Sequence, residues 1–131
     1  MNKVYWHFNG GTVASDEDGS ADSLMLPVDK ITGITPGTRN SDNINKITIW
    51  FEKASVYSHI YQNSDIVSMN GNIALSIQTG KQKEVMMALA DLANPANNKK
   101  AYITIANDRT DDQEAEYAHP FITGCNNIIS V

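Results

Sequence analysis

The chain has a single cysteine, Cys125, among its 131 residues, so no intrachain disulfide can form and nothing requires maturation in an oxidising compartment. No apolar run approaches the ~18 residues of a membrane span. The opening Met1-Asn2-Lys3-Val4-Tyr5-Trp6-His7 lacks the apolar centre of a signal peptide. A soluble protein made in a cytoplasm is the expectation. Basic residues are also few: ten Lys and Arg against fifteen Asp and Glu give a formal charge of −5 and a pI near 5.0. A general nucleic-acid binder needs a basic face to displace counterions, and docking on anionic lipid needs the same. Both are disfavoured. No internal repeat or low-complexity tract appears.

What is present is a 41% hydrophobic chain. At this length it can bury roughly two-thirds of its unfolded surface without covalent staples, which fits a single domain over 1–131. The pattern centres on residues 70–95. Asn70-Gly71 is a strong hairpin-turn signal, because a type I′ turn needs positive φ at both central residues. Ile73, Leu75 and Ile77 then alternate with polar or small residues, as in a strand with one buried face. Thr79 and Gln82 have capping-box spacing. Val85, Met86, Leu89, Leu92 and Ala93 form one helical stripe, ended by Asn94-Pro95. The helix is expected at about 80–93.

Further strands are expected at 3–8, at 24–28 with Pro27 favouring a sheet edge, at 46–53, at 101–105 and from Phe121 to Val131. In 46–53, Ile47, Ile49 and Phe51 share one face, and Trp50 lies on the other. Residues 66–69 are expected to pair with 72–78 across Asn70-Gly71, and 54–63 fit either a helical turn or a loop. The fold class is α+β: a mostly antiparallel twisted sheet or half-barrel, covered by the one helix.

Few residues are arranged for chemistry. The loop holding Asp16, Glu17, Asp18 and Asp22 puts Gly19 at position 4, where an EF-hand wants glycine at 6 and glutamate at 12. A second acidic loop carries Asp108, Asp111, Asp112, Glu114 and Glu116 against Arg109. His7, His59 and His119 are far apart, and no His or Cys spacing matches a metal site. Cys125 with His119 fits no nucleophile–base pattern, and a lone cysteine beside Gly124 fits a small buried hydrophobe. No Gly-x-Ser-x-Gly elbow is present. No catalytic residue, metal or cofactor is therefore assigned.

Two features remain. Lys81 and Lys83 open the helix, where cations oppose the macrodipole. This makes them candidates for an anion site, since helix N-termini bind phosphates. Tyr5, Trp50 and Tyr102 fall on strand faces out of phase with the core, and are candidates for a protein–protein patch.

Three segments carry a resemblance: Leu-Pro-Val-Asp-Lys-Ile at Leu26 to Ile31, Ile-Thr-Ile-Trp-Phe-Glu at Ile47 to Glu52, and Thr79 to Leu89, where Thr-Gly-Lys runs into Lys-Glu-Val-Met. In this order, over about 24–106, they resemble small structural proteins of tailed bacteriophages, particularly marine and cyanobacterial ones. The resemblance implies a virion component made in the host cytoplasm, such as a capsid decoration protein or minor structural subunit. Its partners would be copies of itself or a viral shell protein, and it implies no catalytic residue. The alternatives are a small-ligand or anion-binding domain using Lys81 and Lys83, and a metal-dependent enzyme using the acidic loops.

Overall fold

The computed structural model describes residues 4–12, 23–38, 43–57, 66–94 and 100–130. They form two four-stranded sheets and one helix. Sheet A has the order β2-β1-β6-β7, with β1 Tyr5–Asn9, β2 Ser23–Pro27, β6 Tyr102–Asn107 and β7 Glu116–Tyr117. Sheet B has the order β3-β4-β5-β8, with β3 Ile31–Pro36, β4 Lys46–Tyr57, β5 Ile66–Ile77 and β8 Ile122–Ser130. The helix α1 spans Gln82–Ala93. All pairings are antiparallel except β1 with β6, which run parallel. This is the expected α+β class, without a closed barrel.

The core lies between the sheets because each strand's apolar residues recur with period two. Trp6, Phe8, Leu24 and Leu26 come from sheet A, and Ile47, Ile49, Phe51, Ile73, Leu75 and Ile77 from sheet B; all are buried. Val85 and Leu89 bring one helical stripe into the same cluster, with Met86, Leu92 and Ala93 packed at its margin. A 3-10 turn at Val28–Lys30 passes the chain from β2 to β3, so Pro27 ends an edge strand, where its missing N–H costs no ladder bond.

Two local expectations are overturned. Asn70-Gly71 is not a hairpin turn. Neither residue has positive φ, and both lie inside the twelve-residue strand β5. Residues 66–69 pair with β4 rather than with 72–78: Ile66 with Tyr57, Val67 with Val56, Ser68 with Ser55, Met69 with Ala54. β4 thus runs on to Tyr57, so 54–57 is strand, while 58–65 lies outside the described residues. Long-range pairing along the whole of β4 overrides the local turn preference. What Asn70 marks instead is a bulge. Phe51 pairs with Gly71 and Ala54 with Met69, so Glu52 and Lys53 oppose Asn70 alone, and the Lys53 N–H donates to Asn70 Oδ1 at 3.2 Å.

Lys53 takes φ 58° at this bulge and its side chain is exposed. A left-handed conformation costs a non-glycine residue roughly 1–2 kcal/mol. Lys53→Gly is therefore expected to raise stability by up to ~1 kcal/mol, glycine's extra unfolded-state entropy offsetting part of the relief. Urea unfolding checks this.

The capping box is also absent. Gly80 makes the turn with φ 80°, Lys81 is the N-cap with no side-chain cap bond, and Gln82 is the first helical residue. With the helix starting two residues late, Gln82 is out of the position from which it would reach back to a cap. Its Nε2 donates instead to the carbonyls of Asn43 and Lys46, each at 2.8 Å, tying the helix start to the turn before β4. The far end is as expected: Asn94 is extended, and its N–H donates to the Asp91 carbonyl.

Candidate interaction surface

The residues of sheet A that miss the core phase share its outer face. Tyr5 and Tyr102, ninety-seven positions apart, are direct partners in the parallel β1–β6 ladder, and Pro27 of β2 flanks Tyr5 on the other side. The next row is Met25, His7 and Thr104, with His7 Nδ1 3.3 Å from Thr104 Oγ1. Met25 is 46% and Tyr102 53% exposed, which places two of the largest exposed apolar side chains on one face. Tyr5 and His7 are half-buried between them. Aromatic and methionine side chains clustered on an open sheet are the composition of a contact surface.

Trp50 does not join this patch. It lies on the outer face of sheet B, where its Nε1–H donates to Thr35 Oγ1 at 2.7 Å. Its neighbours on that face, Thr48, Asn72 and Ala74, are buried. The three aromatics expected as interface residues thus divide between two sheets. Sequence reading missed Met25, although its place between buried Leu24 and Leu26 marks it as the outward residue of that strand.

The candidate anion residues stand apart. The Lys81 Nζ lies 5.3 Å from the Phe121 ring centroid, a cation–π distance, and Phe121 stacks at a tilt on His119 with centroids 5.2 Å apart. Lys83 is exposed on the helix.

The best-connected polar cluster lies where the two sheets meet. Adjacent parallel strands β1 and β6 end in Asn9 and Asn107, both buried, with Asn9 Nδ2 donating to Asn107 Oδ1 at 2.9 Å. Asn107 Oδ1 also accepts from the Arg109 N–H, and Asn9 Oδ1 accepts from the Gly11 N–H, so the pair closes both following loops. Asp108 then bridges the sheets. One carboxylate oxygen accepts the Tyr117 hydroxyl at 2.6 Å, and the other accepts the Cys125 N–H of β8 at 3.0 Å. Arg109 is engaged within its own loop by Asp111 at 2.8 Å and Asp112 at 2.9 Å.

This cluster is arranged for holding rather than for proton transfer. Burial, helped by the nearby Asp108 charge, pushes the Cys125 thiol from its ordinary 9.0 up to about 12. Burial first, then the hydrogen bond to Asp108, raises the Tyr117 phenol well above its usual range. Both are neutral at physiological pH, and Asp108 is already an acceptor on both oxygens. Among the described residues no group of three or more His, Cys, Asp or Glu could hold a metal ion. Residues 13–22, with the first acidic loop, and His59 lie outside the described residues.

The raised groups carry a pH consequence. Between about pH 9 and 12 the unfolded chain releases the Cys125 proton while the folded chain keeps it, so folding is progressively disfavoured as pH rises. Tyr117 adds to the same loss from its ordinary 10.0 upward. Stability is expected to be constant in this respect below pH 9 and to fall through the alkaline range, with Cys125→Ala showing a shallower fall. Urea midpoints at successive pH values would show it.

Among the described residues no helix is long and apolar enough to cross a membrane. In comparisons with known proteins, no family model, no curated protein and no solved structure matches the chain.

Proposed function

We propose that this chain is a non-enzymatic structural or assembly protein that works by surface contact, as a component of a tailed-phage virion such as a capsid decoration or minor structural subunit. It binds copies of itself or a viral shell protein, and it resides in the virion after synthesis in the host cytoplasm. The observation that carries this reading is the outer face of sheet A, where Tyr5, Tyr102 and Met25 are brought together from three strands and left open. Large exposed apolar side chains gathered on one face, unlike the same residues scattered singly, mark interaction sites. The polar chemistry is consistent with this reading: the Tyr117 phenol and the Cys125 thiol beside Asp108 are both held neutral, and each carboxylate oxygen accepts a hydrogen bond that ties β7 or β8 in place.

The test mixes the purified chain with tailed-phage shell particles and measures sedimentation and scattering mass, alone and in mixture. Binding at a fixed ratio per shell subunit, or defined self-association, is expected. Met25→Glu places a charge on the open face without touching the core, and is expected to weaken the contact by ~10-fold or more. A chain that remains monomeric and ignores every shell overturns the proposal.

A further inference from the structure

The edge of β6 supplies a more specific partner. β7 is only two residues long and covers β6 at Ala106 and Asn107, while the Ala118 N–H donates to the Ile105 carbonyl. Beyond that point no described strand pairs with Tyr102, Ile103 or Thr104 on the side away from β1. The parallel ladder fixes which backbone groups face this edge. The Tyr5 N–H bonds to the Ala101 carbonyl, and Tyr5 and His7 are centred on Tyr102 and Thr104, so Ala101 and Ile103 turn their polar groups toward β1. Tyr102 and Thr104 turn theirs to the open side. An open groove of about 560 Å³ runs along this edge, walled by Leu92 and Ala118, with Lys100 at one end and Glu116 at the other.

We infer that this edge pairs antiparallel with the same edge of a second copy, about a two-fold axis through Ile103. Such an axis sets Tyr102 opposite Thr104 of the other copy, and the reverse. Each copy lends two N–H and two C=O groups, so every edge-facing group finds a partner in four hydrogen bonds across the axis. The register is limited to these three residues, because Ala118 already occupies the position opposite Ile105. The incoming chain must turn aside there, and its Lys100 is then carried toward the Glu116 end of this groove. The two-fold repeats that juxtaposition, so opposite charges meet at both ends. The pairing also joins the two outer faces of sheet A into one surface, with Tyr102 and Met25 from each copy on the same side. The inference rests on the assembly reading and names one partner for it.

Thr104→Pro tests it, because among the described residues no group of the same chain accepts from the lost N–H. Sedimentation equilibrium of the full chain is expected to show a dimer that Thr104→Pro weakens roughly thirtyfold, two hydrogen bonds being lost. Should that variant fold poorly by circular dichroism, the charge pair gives an independent reading. Lys100→Glu and Glu116→Lys should each weaken the dimer at low salt, and the double reversal should restore it. Amide exchange at Tyr102 and Thr104 should slow as protein concentration rises. A wild-type chain monomeric to millimolar concentration overturns the edge pairing; if it still binds shell particles, the assembly reading survives. A dimer indifferent to Thr104→Pro and to the charge reversals overturns it as well, and places the contact elsewhere.

Discussion

Replacing Leu89 by alanine is expected to lower the unfolding free energy by about 3 kcal/mol, within the range for deleting a buried leucine side chain. Leu89 is fully buried and is one of two helical residues, with Val85, that enter the core cluster directly. The other helical contacts, Met86, Leu92 and Ala93, lie at its margin. The isolated sequence would not hold α1 in place, since a helix of twelve residues is marginal without tertiary packing. Loss of Leu89 therefore removes both transfer energy and the anchor of the helix against β3 and β4, the strands it approaches most. Urea denaturation followed by circular dichroism measures the change. Leu89→Met should cost less than half as much, because a nearly isosteric side chain leaves little cavity.

The second large effect is at Asp108. Asp108→Ala is expected to cost about 3 kcal/mol, the low end for losing two hydrogen bonds to a charged acceptor. The change should be felt on both sheets, because the two donors belong to β7 and β8. Asp108→Asn keeps an acceptor for one donor and should lose roughly half as much. Tyr117→Phe isolates the β7 half of the joint, and its cost should be smaller than that of Asp108→Ala. If the three variants were equal to wild type in urea, the carboxylate would not be what joins the sheets. Because Tyr117 holds β7 beside β6, freeing it should also lengthen the open edge, and Asp108→Ala should exchange its Ala106 and Asn107 amides faster.

Much of the architecture is legible in the sequence, because period two and period 3.6 are local. Trp6 with Phe8, Ile47 with Ile49 and Phe51, and Ile73 with Leu75 and Ile77 announce their strands and their inward faces. Val85 and Leu89 announce the helix. What is not local is not legible. Tyr5 and Tyr102 are readable one by one as out-of-phase aromatics, but only the parallel β1–β6 pairing makes them neighbours. The Asp108 joint is hidden for the same reason, since its donors come from 9 and 17 positions away on different strands. Asn70-Gly71 misleads in the opposite direction. Its turn preference is real, but pairing of β5 along the full length of β4 outweighs it and leaves only a bulge at Lys53. The capping spacing of Thr79 and Gln82 misleads because Gly80 turns the chain first, and Gln82 is better used on the carbonyls of Asn43 and Lys46.

The central claim is that the outer face of sheet A is a contact surface, and radical footprinting tests it most directly. Met25 and Tyr102 are oxidisable and exposed, while Trp6 is buried in the same sheet and serves as the internal reference. Labelling would be compared for the dilute chain, the concentrated chain and the chain mixed with shell particles. Assembly by this face requires that Met25 and Tyr102 lose labelling together when the chain binds shell particles, with Trp6 unchanged, whereas edge pairing in the concentrated chain leaves Met25 labelled. Shell binding that leaves both as reactive as in the dilute chain would contradict it.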